Sequence, residues 1–150
     1  MIENSFSFSY RFSEPSDLIN VENLLEMLHL PVEGVTEQFE NYLLLFNSSK
    51  LIGCAGLEKY GQFGLLRSVA IKPEFQNKHL GSIMVQKLEE FGKLKNNITE
   101  FYLLTETAEK FFTKHGYEVV SREFVPSEIQ NSFEYSTACK ISAIVMKKIL

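Results

Sequence analysis

The sequence is poor in the features that mark disulfide-rich, membrane-spanning or nucleic-acid-binding proteins. Its 150 residues include only two cysteines, Cys54 inside a strand-like pattern and Cys139 near the end. Two cysteines do not make a disulfide framework, and a reducing, cytoplasmic setting is the expectation. No run approaches the ~18 apolar residues of a membrane span, and the polar first residues lack the apolar core of a signal peptide. Basic residues cluster no further than the Lys147-Lys148 pair, and the formal net charge is -4, which argues against a nucleic-acid footprint. No spacing of His, Cys, Asp or Glu resembles a metal site. There is no internal repeat, no low-complexity segment and no glycine-rich dinucleotide fingerprint.

What is present is material for a core. Hydrophobic residues make up 45% of the chain and include 13 Phe, which excludes disorder. A chain of this length buries roughly 68–70% of its unfolded surface, and residues 1–150 are expected to form a single domain. Phe6 to Phe12 alternates strictly, as a strand with one apolar face does. Pro15-Ser16-Asp17 is a helix start; Leu18, Val21, Leu24, Leu25 and Leu28 follow at helical spacing, and His29-Leu30-Pro31 is the stop. Val32 to Glu40 is polar and ambiguous, compatible with a short covering helix. Tyr42 to Phe46 and Leu51 to Glu58 read as strands around an Asn47-Ser48-Ser49 turn. Gly61-Gln62 suits a two-residue hairpin turn, which sets Tyr60 opposite Phe63 and Glu58 opposite Leu65. Arg67 then lies one diagonal step from Glu58 on the same face, within reach of a long side chain.

Leu65 to Ile71 is apolar on both alternating faces except at Arg67 and Ser68, as in a strand covered on both sides. Pro73 ends it. A loop rich in Gln, Asn and Lys leads into an amphipathic helix with Leu80, Ile83, Met84, Leu88 and Phe91 at helical spacing. Such a helix start, with Gly81 and Ser82 in its first turn, offers free N–H groups and a positive dipole end to an anion. Further on, Glu100 to Thr105 is a strand, and Thr105 or Thr107 caps a short helix, Ala108 to Lys114, that Gly116 stops. Tyr117 to Val120, a helical turn from Pro126 to Gln130 and a last strand from Ala143 to Lys148 complete the chain. Antiparallel strands first and helix crossovers later imply a mixed sheet with helices on both faces.

The loop Gln76-x-x-His79-x-Gly81 resembles the Gln/Arg-x-x-Gly-x-Gly/Ala signature of the GNAT superfamily of acyl-CoA-dependent N-acyltransferases, with histidine at the middle glycine. The order of elements is also that of the GNAT fold, so the resemblance covers nearly the whole chain. Thr105-x-x-Ala108-x-x-Phe111-Phe112-x-x-x-Gly116-Tyr117 is similar to the family's Asn-x-x-Ala-x-x-Leu-Tyr-x-x-x-Gly-Phe. Gly56-Leu57-Glu58, Leu65 to Ser68, Tyr102 to Ala108 and Val125 to Ile129 are similar to the branch associated with arsenic resistance, which also resembles amino-acid N-acetyltransferases. The implied fold class is α/β (α+β), a GNAT-like mixed, mostly antiparallel twisted sheet of six to seven strands with helices on both faces.

The resemblance implies acetyl-CoA as co-substrate, no metal, and direct attack of a small amine on the thioester. Its pyrophosphate would be held by amides of Asn77, Lys78, His79, Leu80, Gly81 and Ser82, with Gln76 holding the loop and Lys78 near the phosphates. Val69, Ala70 and Ile71 would present backbone to the pantetheine arm, and one amide, assigned to Val69, would meet the charge developing on the thioester oxygen. Phe112 occupies the place of the family's thiolate-protonating tyrosine and has no proton to give; Tyr102, Tyr135 and Cys139 are substitutes to consider. Arg67 has two readings. One is a structural ion pair with Glu58. The other is a bidentate grip on a substrate carboxylate, with Ser68 beside it and Glu58 facing the amine as proton acceptor. The expected partner is a small, amino-acid-like amine rather than nucleic acid or a membrane, and an exposed edge beside the last strands is compatible with a homodimer. The alternative is a catalytically weak or regulatory acyl-CoA-binding domain, suggested by His79 and Phe112.

Overall fold

The computed structural model describes residues 6–138 and 142–150, so Cys139 lies outside the described residues. Strands β1 (Phe8–Phe12), β2 (Tyr42–Asn47), β3 (Lys50–Tyr60), β4 (Phe63–Ile71), β5 (Glu100–Thr105), β6 (Glu118–Val120) and β7 (Ile144–Ile149) form one seven-stranded sheet in the order β1-β2-β3-β4-β5-β7-β6. All neighbours are antiparallel except β4 and β5. Helices α1 (Leu18–Met27), α2 (Leu80–Asn96), α3 (Glu109–Lys114) and α4 (Ser127–Gln130) lie between the strands in sequence.

The central strands are apolar on both alternating faces because both faces are covered. In β2, Leu43 and Leu45 point into the layer of Met84, Val85 and Leu88 from α2, while Tyr42 and Leu44 point at Val21, Leu24 and Leu25 from α1. In β5, Phe101 and Leu103 join the α2 layer, whereas Tyr102 and Leu104 meet Val125 and Ile129 around α4.

Three boundaries differ from expectation for local reasons. The first strand starts at Phe8 rather than Phe6, since the Asn47 side chain accepts from the Ser7 amide at 3.0 Å and closes the ladder there. Helix α1 ends at Met27, one residue before Leu28, with the expected stop at His29, which takes φ 60° while the Leu30 amide reaches back to the Leu25 carbonyl at 2.9 Å. The ambiguous segment forms 3-10 turns over Val35–Asn41, kinked at Gln38, which bury Val35 and Phe39 against Tyr42.

The feature that positions the site is in β4. Gly56 pairs with Arg67 and Cys54 with Ala70, so Ala55 faces two residues, Ser68 and Val69. Ser68 takes the left-handed conformation at φ 58°. Its hydroxyl meets Tyr42 Oη at 2.9 Å, and its carbonyl accepts from Cys54 Sγ at 3.2 Å. On the other side, parallel pairing with β5 runs only from Phe63↔Glu100 to Leu66↔Leu103. Beyond Leu66 the two strands diverge.

Two expectations follow. A Cβ at Gly56 would come within 2.5 Å of the Tyr42 ring. Gly56→Ala is expected to cost about 1–3 kcal/mol in a denaturant melt by forcing that ring off Ser68. Burial pushes the Cys54 thiol up to about 12. Peptide mapping after alkylation at neutral pH should therefore find Cys54 unmodified in the folded chain and modified once it unfolds.

Candidate active site

The divergence opens a cleft of about 740 Å³ between β4, the start of α2 and α3. The Lys72 amide donates to Ile52 across the β3 ladder at 2.9 Å. Strand alternation therefore turns the N–H groups of Ile71 and Val69 away from β3, toward the gap where β5 has left. Gln76 Nε2 donates to the Ile71 carbonyl at 2.9 Å and ties the loop to the strand end. Asn77 (φ 66°) and His79 (φ 62°) are both left-handed, and the loop turns on them into α2. The histidine thus takes the backbone conformation that a glycine accepts without cost. The first intrahelical bond of α2 is Ile83 to His79, at 3.2 Å, which leaves the amides of Leu80, Gly81 and Ser82 without helical acceptors. A Cβ at Gly81 would stand in ordinary contact, 3.5 Å from the Phe111 ring, so a longer side chain here would reach into the cleft.

Of the residues expected around the cofactor, Val69, Ala70, Ile71, Gln76, Asn77, His79, Leu80, Gly81, Ser82 and Phe112 line this cleft. Lys78 does not; its ammonium lies over the Phe6 ring at 4.9 Å, a cation–π contact that turns it from the helix start. Sequence reasoning missed Phe111 and His115. The imidazole Nε2 of His115 meets Ser82 Oγ at 2.9 Å, and its ring lies 4.7 Å from that of Phe111. The signal for Phe111 was its place beside Phe112 in the Thr105–Tyr117 motif.

A second cleft, of about 530 Å³, lies on the other side of the bulge and is lined by Arg67, Ser68, Leu30, Thr105, Glu106 and Glu134 among others. Val69, Thr107, Ala108 and Phe112 line both clefts, so the two meet there. Arg67 is 2% exposed, and its guanidinium is held from four directions. Nη1 donates to Glu58 Oε2 at 3.2 Å, Nη2 to the Glu33 carbonyl at 2.7 Å, and Nε to Ser68 Oγ at 3.3 Å, while Glu134 Oε1 stands 3.5 Å from Nη2. Burial opposes the charge, but the oxygens of Tyr42, Glu134 and Glu58 outweigh it, and the Arg67 pKa is raised.

Glu58 is fully buried behind this arginine and lines neither cleft. Its Oε1 accepts from Tyr60 Oη at 2.5 Å, and Oε2 is taken by Arg67. Burial, then the bond to Glu58, pushes the Tyr60 phenol above its usual value. The expected diagonal contact between Glu58 and Arg67 is thus present, while the expected opening of Glu58 toward an amine is not. The carboxylate that stands with Arg67 on the cleft surface is Glu134, 67 positions away in sequence, and no local pattern marked it.

Phe112 is buried at the junction, its ring edge-on to Tyr117 and to Phe111. Tyr102 and Tyr135 line neither cleft; Tyr102 donates to Glu100 at 2.9 Å, and Tyr135 lies under Arg122. Among the described residues no three His, Cys, Asp or Glu are grouped to hold a metal ion, and no helix is long and apolar enough to cross a membrane.

Comparison with known proteins agrees with this architecture. The protein YwlB of Bacillus subtilis, whose own function is uncharacterized, is 31% identical over 146 residues, covering 94% of this chain and 97% of that one. An amino-acid acetyltransferase of Mannheimia succiniciproducens is 23% identical over 81% of this chain, but the chain spans only 30% of that relative's length. Among solved structures, N-acetylglutamate synthase from Neisseria gonorrhoeae, complexed with coenzyme A and N-acetyl-glutamate, superposes with a TM-score of 0.81 at 16% identity. It covers 96% of this chain, which spans 35% of the synthase. Rv2747 from Mycobacterium tuberculosis, in complex with CoA and NLQ, gives 0.77 at 17% identity and matches 95% of this chain and 99% of its own. A family model described as the Acetyltransferase (GNAT) domain matches residues 38–119, more than half of the sequence, and the chain belongs to that family of N-acetyltransferases.

Proposed function

We propose that the chain transfers an acetyl group from acetyl-CoA to the primary amine of a small, amino-acid-like acceptor. The observation that carries this reading is the meeting of two clefts at Val69 and Phe112: one is built of free backbone amides, the other around a fixed arginine. The first suits acetyl-CoA. The amides of Leu80 to Ser82, at the positive end of α2, fit a pyrophosphate, and the diverged stretch Val69 to Ile71 fits an amide-bearing arm. Acetyl-CoA brings the activated acyl thioester.

The chain's own part is placement and charge. Holding the amine and the thioester carbonyl at the junction removes most of the entropic cost of their meeting. The Val69 N–H, aimed away from β3, would donate to the carbonyl oxygen as negative charge gathers there. Arg67 would take the acceptor's carboxylate, and Glu58 would hold Arg67 from the sheet side. The acceptor's ammonium would give up its proton to solvent water in the cleft before its nitrogen attacks the thioester carbonyl. Phe112 offers no proton to the departing thiolate, which a thiol pKa near ~8.5 makes tolerable. The amino-acid acetyltransferases among the relatives support the acceptor class. Phe112 also favours a second reading, a domain that binds acyl-CoA without turning it over.

An acetyl-CoA turnover screen over free amino acids and simple amines separates the two readings. Thiol release with at least one amino acid is expected; tight CoA binding without release on any amine would leave the binding domain. Arg67→Ala would strand Glu58 in the core at a cost of about 3–5 kcal/mol, so Arg67→Lys is the better probe. It should raise KM for carboxylate-bearing amines about tenfold and leave KM for acetyl-CoA alone, because an ammonium cannot form the fork. An equal loss for both ligands would mark Arg67 as purely structural. Gly81→Val should fill the cradle beside Phe111 and weaken CoA binding by about tenfold or more in calorimetry, with the circular dichroism spectrum unchanged.

A further inference from the structure

We infer that His115 sets the direction of the Ser82 hydroxyl: with acetyl-CoA bound, the imidazole donates to Ser82 Oγ and the hydroxyl donates to the pyrophosphate. The inference rests on the reading of the first cleft as the acetyl-CoA site and adds to it a positioning residue. Three observations carry it.

The first is position. Ser82 lines the cofactor cleft from the first turn of α2, and His115 lines it from the residue that ends α3. They are 33 positions apart in sequence, yet Ser82 Oγ and His115 Nε2 meet at 2.9 Å. Neither lines the second cleft, around Arg67. The pair therefore belongs to the cofactor side of the junction.

The second is the choice of partner. A serine in a helix commonly turns its hydroxyl to backbone groups of its own turn. Ser82 meets instead a side chain from another helix, at the end of α2 where the amides of Leu80, Gly81 and Ser82 have no helical acceptors. The amide and the hydroxyl of one residue thus stand at the helix end that suits an anion. The imidazole is steadied by the Phe111 ring, 4.7 Å away, which lines the same cleft.

The third is the proton count. A hydroxyl carries one proton, and each nitrogen of a neutral imidazole either donates or accepts. If Nε2 accepts, the ring takes the Ser82 proton and leaves only lone pairs for an anion. If Nε2 donates, the Ser82 proton is free, and a phosphate oxygen accepts it in a charge-assisted bond. A pyrophosphate at the start of α2 selects the donating ring. The rival account is that the contact only pins α3 to α2.

The test measures CoA affinity by calorimetry for wild type, Ser82→Ala, His115→Leu, His115→Gln and the double variant Ser82→Ala with His115→Leu. CoA also carries a separate ribose phosphate, so dephospho-CoA, which keeps only the pyrophosphate, is the second probe. Ser82→Ala and His115→Leu should each weaken both probes about tenfold, with Tm unchanged. The double variant should bind no more weakly than Ser82→Ala alone, because the ring acts only through the hydroxyl. His115→Gln keeps an amide donor of similar reach and should restore most of the affinity, a rescue that a pinning contact does not predict. Additive losses, His115→Gln no better than His115→Leu, or weakening seen with CoA but not with dephospho-CoA would each overturn the inference. So would wild-type affinity in Ser82→Ala, a variant that tests the hydroxyl even if His115→Leu fails to fold. Wild type that binds neither probe overturns the cofactor reading of the cleft as well, whereas tight binding with unaffected variants overturns the inference alone.

Discussion

The parting of β4 from β5 after Leu66 is the constraint on which the site depends. Parallel strands normally satisfy each other's backbone groups along their length, and here pairing stops while β4 still has five residues to run. The stretch beyond Leu66 keeps its bonds to β3 on one side and exposes a row of donors and acceptors on the other. The bulge opposite Ala55 marks the same point, and the left-handed Ser68 costs strain that its contacts with Tyr42 and Cys54 help to offset. A cleft walled by unpaired backbone suits a ligand that carries its own amides, as in the proposed cofactor site. The same kink brings Arg67 to the edge of a neighbouring cleft. One local irregularity therefore places both halves of the chemistry.

Much of this was legible in the sequence because it follows from short-range rules. The hairpin at Gly61-Gln62 fixed the register, and the register set Glu58 opposite Leu65 and one diagonal from Arg67. The two-sided apolar pattern in β4, together with the order of the elements, announced helices on both faces. The loop from Gln76 to Ser82 could be read as an anion-binding helix start. Its histidine could be read as a departure, and it does occupy a left-handed position.

What escaped the sequence is what depends on long-range packing. Nothing in Arg67-Ser68-Val69 predicts that the serine, rather than a glycine, takes positive φ; Tyr42 and Cys54, distant in sequence, hold it there. Glu58 was expected to pair with Arg67 and to face an amine; the pair is present, and the hydroxyl of Tyr60, two residues along the same strand, takes its other oxygen. Lys78 was placed near the phosphates by the resemblance, and a phenylalanine ring from the first described residue draws its ammonium away. Glu134 meets Arg67 from beyond α4, across a sequence separation that no short-range pattern spans.

The order of the last strands has a further consequence. β7 inserts between β5 and β6, leaving the sheet to end on a strand of three residues, Glu118–Val120. An edge so short carries too few free backbone groups to template the addition of another strand. Beside it, Val119 and Ile149 are largely exposed. A second copy of the chain meeting this end of the sheet would be gripped by side chains rather than by a shared ladder. Its affinity would then follow apolar area and shape, and would be tuned by single substitutions at those two positions without disturbing the sheet.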